Sequence, residues 1–127
     1  MTAPLVIVGA GHATGQLFAS LLQEGFKGEI TIIGEDPYLP YQRPPLSKKY
    51  LAGEMELDRL YVRPPAFYDK AGARVMLGTR VTAIDRQART VVTDSGTTVP
   101  YATLVIATGS RPRKLTLPGA DLDGVFY

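Results

Sequence analysis

The stretch Leu5-Val6-Ile7-Val8-Gly9-Ala10-Gly11-His12-Ala13-Thr14-Gly15 decides the fold of this 127-residue chain. Its four apolar residues predict a buried strand, and the glycines that follow predict a tight turn into a helix. Such a turn lets the backbone approach a nucleotide pyrophosphate, while the unpaired N–H groups of the helix face the negative charge. Gly9 and Gly11 take the first two glycine positions of the G-x-G-x-x-G motif. The stretch therefore predicts a dinucleotide-binding α/β domain.

The third position of the motif departs from the expected residue type. Thr14 stands where the motif has Gly or Ala, the residue that controls how closely helix and strand pack. Ala13 and Gly15 keep the neighbourhood small. We therefore expect a slightly displaced helix and a retained site.

An acidic residue follows the second apolar strand at the spacing that a ribose site requires. Glu35 lies 24 residues after Gly11 (35 − 11), close to the separation of about 20 residues that is typical of the ribose-binding acid. A carboxylate there accepts hydrogen bonds from the adenosine ribose hydroxyls and repels a ribose phosphate. The sequence predicts this role for Glu35.

Composition excludes several classes of function. The 14 basic and 12 acidic residues leave a formal charge of +2 and form no basic run, so no nucleic-acid partner is expected. No apolar stretch approaches the roughly 20 residues of a membrane span. Met1-Thr2-Ala3-Pro4 leads directly into the first strand without a signal peptide, so we expect a cytoplasmic protein that does not associate with membranes.

The chain contains no cysteine. Structural disulfides, cysteine-ligated metals and a redox-active dithiol are therefore excluded within it. We predict no metal site and no catalytic side chain. His12 has no carboxylate or second histidine beside it in sequence, and we expect only its backbone to contribute.

Hydrophobic periodicity and turn residues predict the remaining elements. They are a helix over 12–24, a strand over 30–33, an irregular proline-rich loop over 36–46, a short helix over 47–51, a helix that starts at Pro64-Pro65 and ends at Gly72, a strand over 74–77, a three-stranded antiparallel meander over about 79–100 and a buried parallel strand over 104–107.

Three features together carry a resemblance to a known family. They are the G-x-G turn with Glu35, the segment Arg43-Pro44-Pro45-Leu46-Ser47-Lys48, and Ala107-Thr108-Gly109 at the end of a buried strand. The combination resembles the FAD-dependent ferredoxin and rubredoxin reductases of the putidaredoxin reductase and biphenyl dioxygenase reductase type. The Arg-Pro-Pro-Leu-Ser-Lys segment is its most specific part. The resemblance implies a Rossmann-like FAD-binding domain and an oxidoreductase that passes electrons from NADH through FAD to a small iron–sulfur protein, a ferredoxin or rubredoxin.

The resemblance also implies positions for the FAD contacts. Gly9, Gly11 and Ala13 would lie at the pyrophosphate and Glu35 at the adenosine ribose. The remaining implied contacts are Arg43 and Lys48 beside the phosphates and flavin, Val81 against the adenine, and Ala107, Thr108 and Gly109 near the cofactor at the last strand. Lys48 could also stabilise negative charge on a reduced flavin.

Family chains are longer than this one, so we expect an incomplete FAD domain. Residues 1–110 would be its first part, and residues 111–127 would lead toward an NADH-binding domain that is absent. The 127 residues alone should then be inactive. Two alternatives stay open, a related flavoprotein such as an NADH oxidase and a non-catalytic dinucleotide-binding module. A flavin spectrum would separate the flavoproteins from the module.

Overall fold

The computed structural model describes residues 4–127, which form two β-sheets and two α-helices. The elements in chain order are β1 (Leu5–Val8), α1 (His12–Gln23), β2 (Ile30–Ile33), α2 (Pro65–Lys70), β3 (Arg74–Met76), β4 (Val81–Asp85), β5 (Thr90–Thr93), β6 (Thr98–Pro100) and β7 (Thr103–Ile106). The first sheet is parallel in the order β3-β2-β1-β7, and the second is the antiparallel meander β4-β5-β6. The predicted α/β class is confirmed. The sequence prediction for residues 1–3 lies outside the described residues.

Strand β1 is apolar throughout because both of its faces are buried. One face packs with α1 and α2, and the core there contains Leu5, Ile7, Phe18, Ile30, Ile32 and Tyr68. The other face packs against the meander, and the core there contains Val6, Val8, Ile33, Val91 and Val99. Helices α1 and α2 therefore cover one face of β1 and the meander covers the other, and the carboxyl end of β1 lies at one edge of the sheet.

Helix α1 begins and ends where the sequence predicts, to within one residue. Gly25 follows it with φ at +76°, and the N–H of Gly25 donates to the carbonyl oxygen of Leu22 at 3.1 Å. A left-handed glycine in this place ends a helix because it satisfies carbonyl groups that have no partner inside it. The helix buries Phe18 against the sheet.

The proline-rich segment, here residues 36–51, differs from the sequence prediction in one respect. A short helix was expected over 47–51, but the segment forms a 3-10 turn at Pro44–Ser47 and then irregular turns. Pro44 and Pro45 start the turn early because their rings fix φ, and Lys48 leaves the helical region at φ −133° and ψ −115°. The expected helix is therefore wrong in type and position. The start of the segment packs on α1, since Pro40 is fully buried and faces Gly15 of that helix.

The predicted three-stranded antiparallel meander is confirmed. Asp94-Ser95-Gly96 joins β5 to β6, with Gly96 at φ +81°. The carboxylate of Asp85 accepts hydrogen bonds from the N–H groups of Gln87 and Ala88 at 2.9 and 2.8 Å and so closes the turn between β4 and β5. In residues 4–127, no helix is both long enough and apolar enough to cross a membrane.

Candidate functional site

Gly9 lies where the end of β1 meets the end of β7. Its φ is +111°, and a Cβ atom there would collide with the carbonyl oxygen of Ala107. Two backbone hydrogen bonds hold these strand ends together. The N–H of Gly9 donates to the carbonyl oxygen of Ile33, and the N–H of Ala107 donates to the carbonyl oxygen of Val8, both at 2.7 Å. The turn therefore requires glycine for the fold itself, and it brings Gly9 and Ala107 into contact.

Gly11 precedes α1 and has a different reason to lack a side chain. Its φ is −93°, which any residue adopts, and a Cβ atom there would meet no atom within 4 Å. The space in front of Gly11 is thus open. No side chain caps this end of α1, and the first N–H that finds a helical acceptor is that of Gly15, which donates to Gly11 at 3.1 Å. The N–H groups of residues 12–14 are left as donors, as expected at a helix start.

Thr14 and Gly15 together fix the glycine turn against the rest of the domain. The Thr14 hydroxyl is fully buried and donates to the carbonyl oxygen of Gly9 at 2.7 Å. A Cβ atom on Gly15 would lie 2.9 Å from that of Pro40. In the motif the third glycine allows the helix to pack closely on its neighbours. Here Gly15, one residue later, has that role by its contact with Pro40.

Glu35 follows β2 at the same edge of the sheet, and its carboxylate is half exposed. The Arg111 guanidinium donates to Oε2 at 3.1 Å, and a nitrogen of Arg80 lies 3.8 Å from Oε1. Gly34, the residue before it, is buried, and a Cβ there would collide with Ala10. This contact keeps the end of β2 close to the glycine turn.

Arg43 and Lys48 are exposed on the proline-rich segment. The Arg43 guanidinium lies 5.7 Å from the centre of the Tyr41 ring, and Lys48 Nζ lies 3.5 Å from the carbonyl oxygen of Pro44. Within residues 4–127 these contacts stay inside the segment, so both cations are available to a ligand. Tyr41 donates to Asp36 Oδ2 at 3.0 Å. Burial, and then this hydrogen bond to Asp36, raises the pKa of the Tyr41 hydroxyl above its ordinary value.

Val81 and Thr108 line one open cavity of about 300 Å³ at the carboxyl edge of the sheet. Val8 of β1 and Ile106 of β7 also line this cavity. Val81 also packs against the core on the meander side. A core role and a ligand-contact role are both compatible with this position. Gly109 follows with φ +69° and turns the chain away from the sheet.

Sequence reasoning missed two residues of this edge, Arg80 and Arg111. Arg80 directly precedes β4, and Arg111 lies 76 residues after Glu35. No motif or periodicity marks them, since they meet Glu35 only when the start of the meander and the chain after β7 come together at the carboxyl end of β2.

Comparisons with known proteins agree with this arrangement. The family model described as pyridine nucleotide-disulphide oxidoreductase matches residues 3–127. The probable ferredoxin reductase CtmF of Castellaniella defragrans is 45% identical over 121 residues, which are 95% of this chain and 30% of the relative. The chain thus spans about a third of the length of the relatives that it matches.

Two solved structures share the fold. The ferredoxin reductase for the CYP199A2 system from Rhodopseudomonas palustris is 41% identical with a TM-score of 0.90, covering 98% of this chain and 31% of that one. The covalent complex of putidaredoxin reductase with putidaredoxin gives 39% identity and a TM-score of 0.86, covering 90% of this chain and 27% of that one.

Proposed function

The chain belongs to the pyridine nucleotide-disulphide oxidoreductase family, and on that basis we propose that it binds FAD as the first part of an NADH-dependent ferredoxin or rubredoxin reductase. Electrons would pass from NADH to FAD and then to a small iron–sulfur protein. The names of the relatives support this assignment, since the probable ferredoxin reductase and the putidaredoxin reductase are both matched over at least 90% of this chain.

One observation carries the proposal, the open space at Gly11 in front of uncapped helix donors. Three N–H groups and the positive end of the helix dipole suit an anion at this point. A pyrophosphate fits the donor set, and the absence of a side chain on Gly11 lets it approach the backbone. Ala13 is exposed on the first turn of α1 and adds little bulk there.

The other proposed contacts extend from this point along the sheet edge. Glu35 would accept the adenosine ribose hydroxyls, and Val81 would contact the adenine. Ala107, Thr108 and Gly109 would approach the cofactor from β7, and the cations Arg43 and Lys48 would face the phosphates and flavin. FAD supplies the capacity to take two electrons and release them singly. The residues of this chain bind and orient it.

The domain division belongs to the same proposal. Residues 1–110 would form the first part of the FAD domain, and residues 111–127 would lead toward an NADH-binding domain. A cytoplasmic location is also proposed, and fractionation of the producing cells would test it.

Adding one methyl group at Gly11 tests the proposal. Gly11→Ala should leave the fold intact because a Cβ atom meets nothing there, yet it should weaken FAD binding by at least about ten-fold by crowding the pyrophosphate. The measurement is FAD titration followed by flavin fluorescence, with thermal unfolding of the same samples. Unchanged FAD affinity in Gly11→Ala would contradict the proposed site.

Gly9→Ala is the matched comparison. It adds the same atom two residues earlier, where it collides with Ala107 and strains a positive φ, and it should lower stability as well as FAD binding. Binding of ADP without any flavin spectrum in the wild-type protein would favour the non-catalytic module instead.

A further inference from the structure

The only two ion pairs that the structure shows within residues 4–127 both end on Glu35. Arg111 Nη2 lies 3.1 Å from Oε2, and Arg80 Nη1 lies 3.8 Å from Oε1. Each carboxylate oxygen therefore faces a different guanidinium. With 26 charged residues in the chain (14 basic and 12 acidic), this convergence on the proposed ribose-binding residue is selective.

A carboxylate held in this way keeps capacity for a ligand. Its two oxygens offer about four acceptor positions. Arg111 takes one of them on Oε2, whereas Arg80 Nη1, 3.8 Å from Oε1, is beyond hydrogen-bond distance and acts through its charge. At least one acceptor position is therefore left on each oxygen, which suits the two adjacent hydroxyls of a ribose. Fixing the side chain beforehand also reduces the conformational entropy lost on binding.

Backbone hydrogen bonds hold Arg80 beside Glu35. The N–H of Thr79 donates to the carbonyl oxygen of Gly34 at 2.8 Å, and the carbonyl oxygen of Arg80 accepts from the N–H of Asp94 at 2.8 Å. The residues that precede Glu35 and Arg80 are thus joined directly. Arg111 approaches from the chain after β7. Three separate segments therefore meet at one carboxylate.

The geometry points to Arg80 and Arg111 as specificity-determining residues, which hold Glu35 for a ribose diol and would bind a ribose phosphate if the charge of Glu35 were removed. This inference rests on the proposed dinucleotide-binding function. With Glu35 ionised, its negative charge opposes a phosphate on the ribose. Without that charge, two guanidinium groups remain, and guanidinium is the group that recognises phosphate most readily in proteins.

The first arm of the test measures positioning. FAD and FMN affinities are compared for the wild-type protein at its full natural length and for Arg111→Ala, Arg80→Ala and Arg111→Lys. FMN lacks the adenosine, so loss of Glu35 positioning should weaken FAD by about two- to five-fold, the range for exposed ion pairs, and leave FMN unchanged. Arg111→Lys should recover part of the loss. Arg113→Ala removes a neighbouring charge that has no contact with Glu35 and is the matched control.

The second arm measures the change of specificity. ADP and adenosine 2′,5′-bisphosphate are titrated against wild-type protein, Glu35→Gln and the double variant Glu35→Gln/Arg111→Ala. Glu35→Gln keeps the side-chain shape, and it should gain affinity for the 2′-phosphate compound by about ten-fold. The double variant should lose most of that gain.

The outcomes separate this inference from the proposed function. Selective loss of FAD affinity in the arginine variants, with the gain in Glu35→Gln, supports the inference. Two results overturn the inference alone, provided that the wild-type protein binds FAD tightly. One is an equal loss of FAD and FMN affinity in the arginine variants, and the other is no gain of affinity for adenosine 2′,5′-bisphosphate in Glu35→Gln. Failure of the wild-type protein to bind FAD overturns the proposed function and this inference with it.

Discussion

Tyr68 is the residue whose environment departs furthest from what its chemistry favours. It is 1% exposed and contacts two rings, Phe18, stacked at 5.0 Å, and Phe67, perpendicular at 6.0 Å. Among the residues that the structure describes, its hydroxyl has no hydrogen-bond partner. Burial raises the pKa of this hydroxyl above its ordinary value of 10.0, because the charged form is disfavoured away from water.

We predict that Tyr68→Phe stabilises the protein by about 1 kcal/mol at neutral pH, since it removes a buried polar group without a partner. The raised pKa also sets the sign of the pH dependence. The contribution of neutral Tyr68 is complete below the unfolded pKa near 10 and is lost as pH rises toward the higher folded pKa. The variant should therefore lose less stability above pH 10. Urea unfolding at pH 7 and pH 10.5 measures both effects.

Tyr41→Phe is the control for this prediction. The Tyr41 hydroxyl donates to Asp36, so the same substitution should destabilise the protein by about 0.5–1.5 kcal/mol. Equal effects of the two substitutions would contradict the interpretation of Tyr68.

At the scale of elements, the position of α1 relative to β1 is fixed by one contact within the strand–turn–helix unit and by one contact with a neighbouring segment. Thr14 joins the helix to the turn through its hydroxyl, and Gly15 allows the proline-rich segment to pack on the same helix. The buried hydroxyl of Thr14 is satisfied at 2.7 Å. The residue that departs from the glycine motif therefore has a structural role of its own.

We expect Thr14→Val to lower the free energy of unfolding by about 1–2 kcal/mol, because it keeps the side-chain shape and removes the hydrogen bond to Gly9. Thr14→Ser keeps the hydroxyl and loses a methyl group, so it separates the hydrogen bond from packing. Thermal unfolding of the three proteins measures the difference. A Thr14→Val protein as stable as the wild type would show that the hydroxyl does not hold the turn.

At the scale of the whole molecule, the parallel sheet has an edge at β7. Within the described residues β7 pairs only with β1, and Ile106 at its end is 63% exposed. The prediction of a parallel strand here is confirmed, but the prediction that it is buried is wrong, because its outer side has no partner strand in residues 4–127. Unpaired backbone groups beside an exposed apolar side chain favour association with another strand. The same edge borders the cavity that Val81 and Thr108 line.

We predict that the 127-residue chain self-associates through this edge and that Ile106→Lys weakens the association by about ten-fold or more, the value of burying one isoleucine side chain. Sedimentation velocity over a range of concentrations measures it. Leu57→Lys changes an exposed apolar residue outside both sheets and should have no such effect. If both variants associate like the wild type, the β7 edge is not the contact.

The sequence by itself determined the order and type of the main elements and the edge at which the site lies. Alternating or short continuous apolar runs identify strands, and apolar residues three and four apart identify helices, because side-chain burial follows the local period. The places of Gly9, Gly11 and Glu35 at that edge could be predicted because a turn and a strand end are local features, and their roles in cofactor binding stay predictions. The helix expected over 47–51 failed because the two prolines before it impose their own turn.

Only the tertiary structure decided which side chains meet at that edge. Glu35, Arg80 and Arg111 come together from three segments separated by up to 76 residues, and the contact of Gly15 with Pro40 depends on how a loop without regular structure folds back. Surface side chains and irregular loops carry no periodic pattern, because their polar groups can bond to water in many conformations of similar free energy. Their partners are therefore fixed by the packing of the sheets and helices that support them.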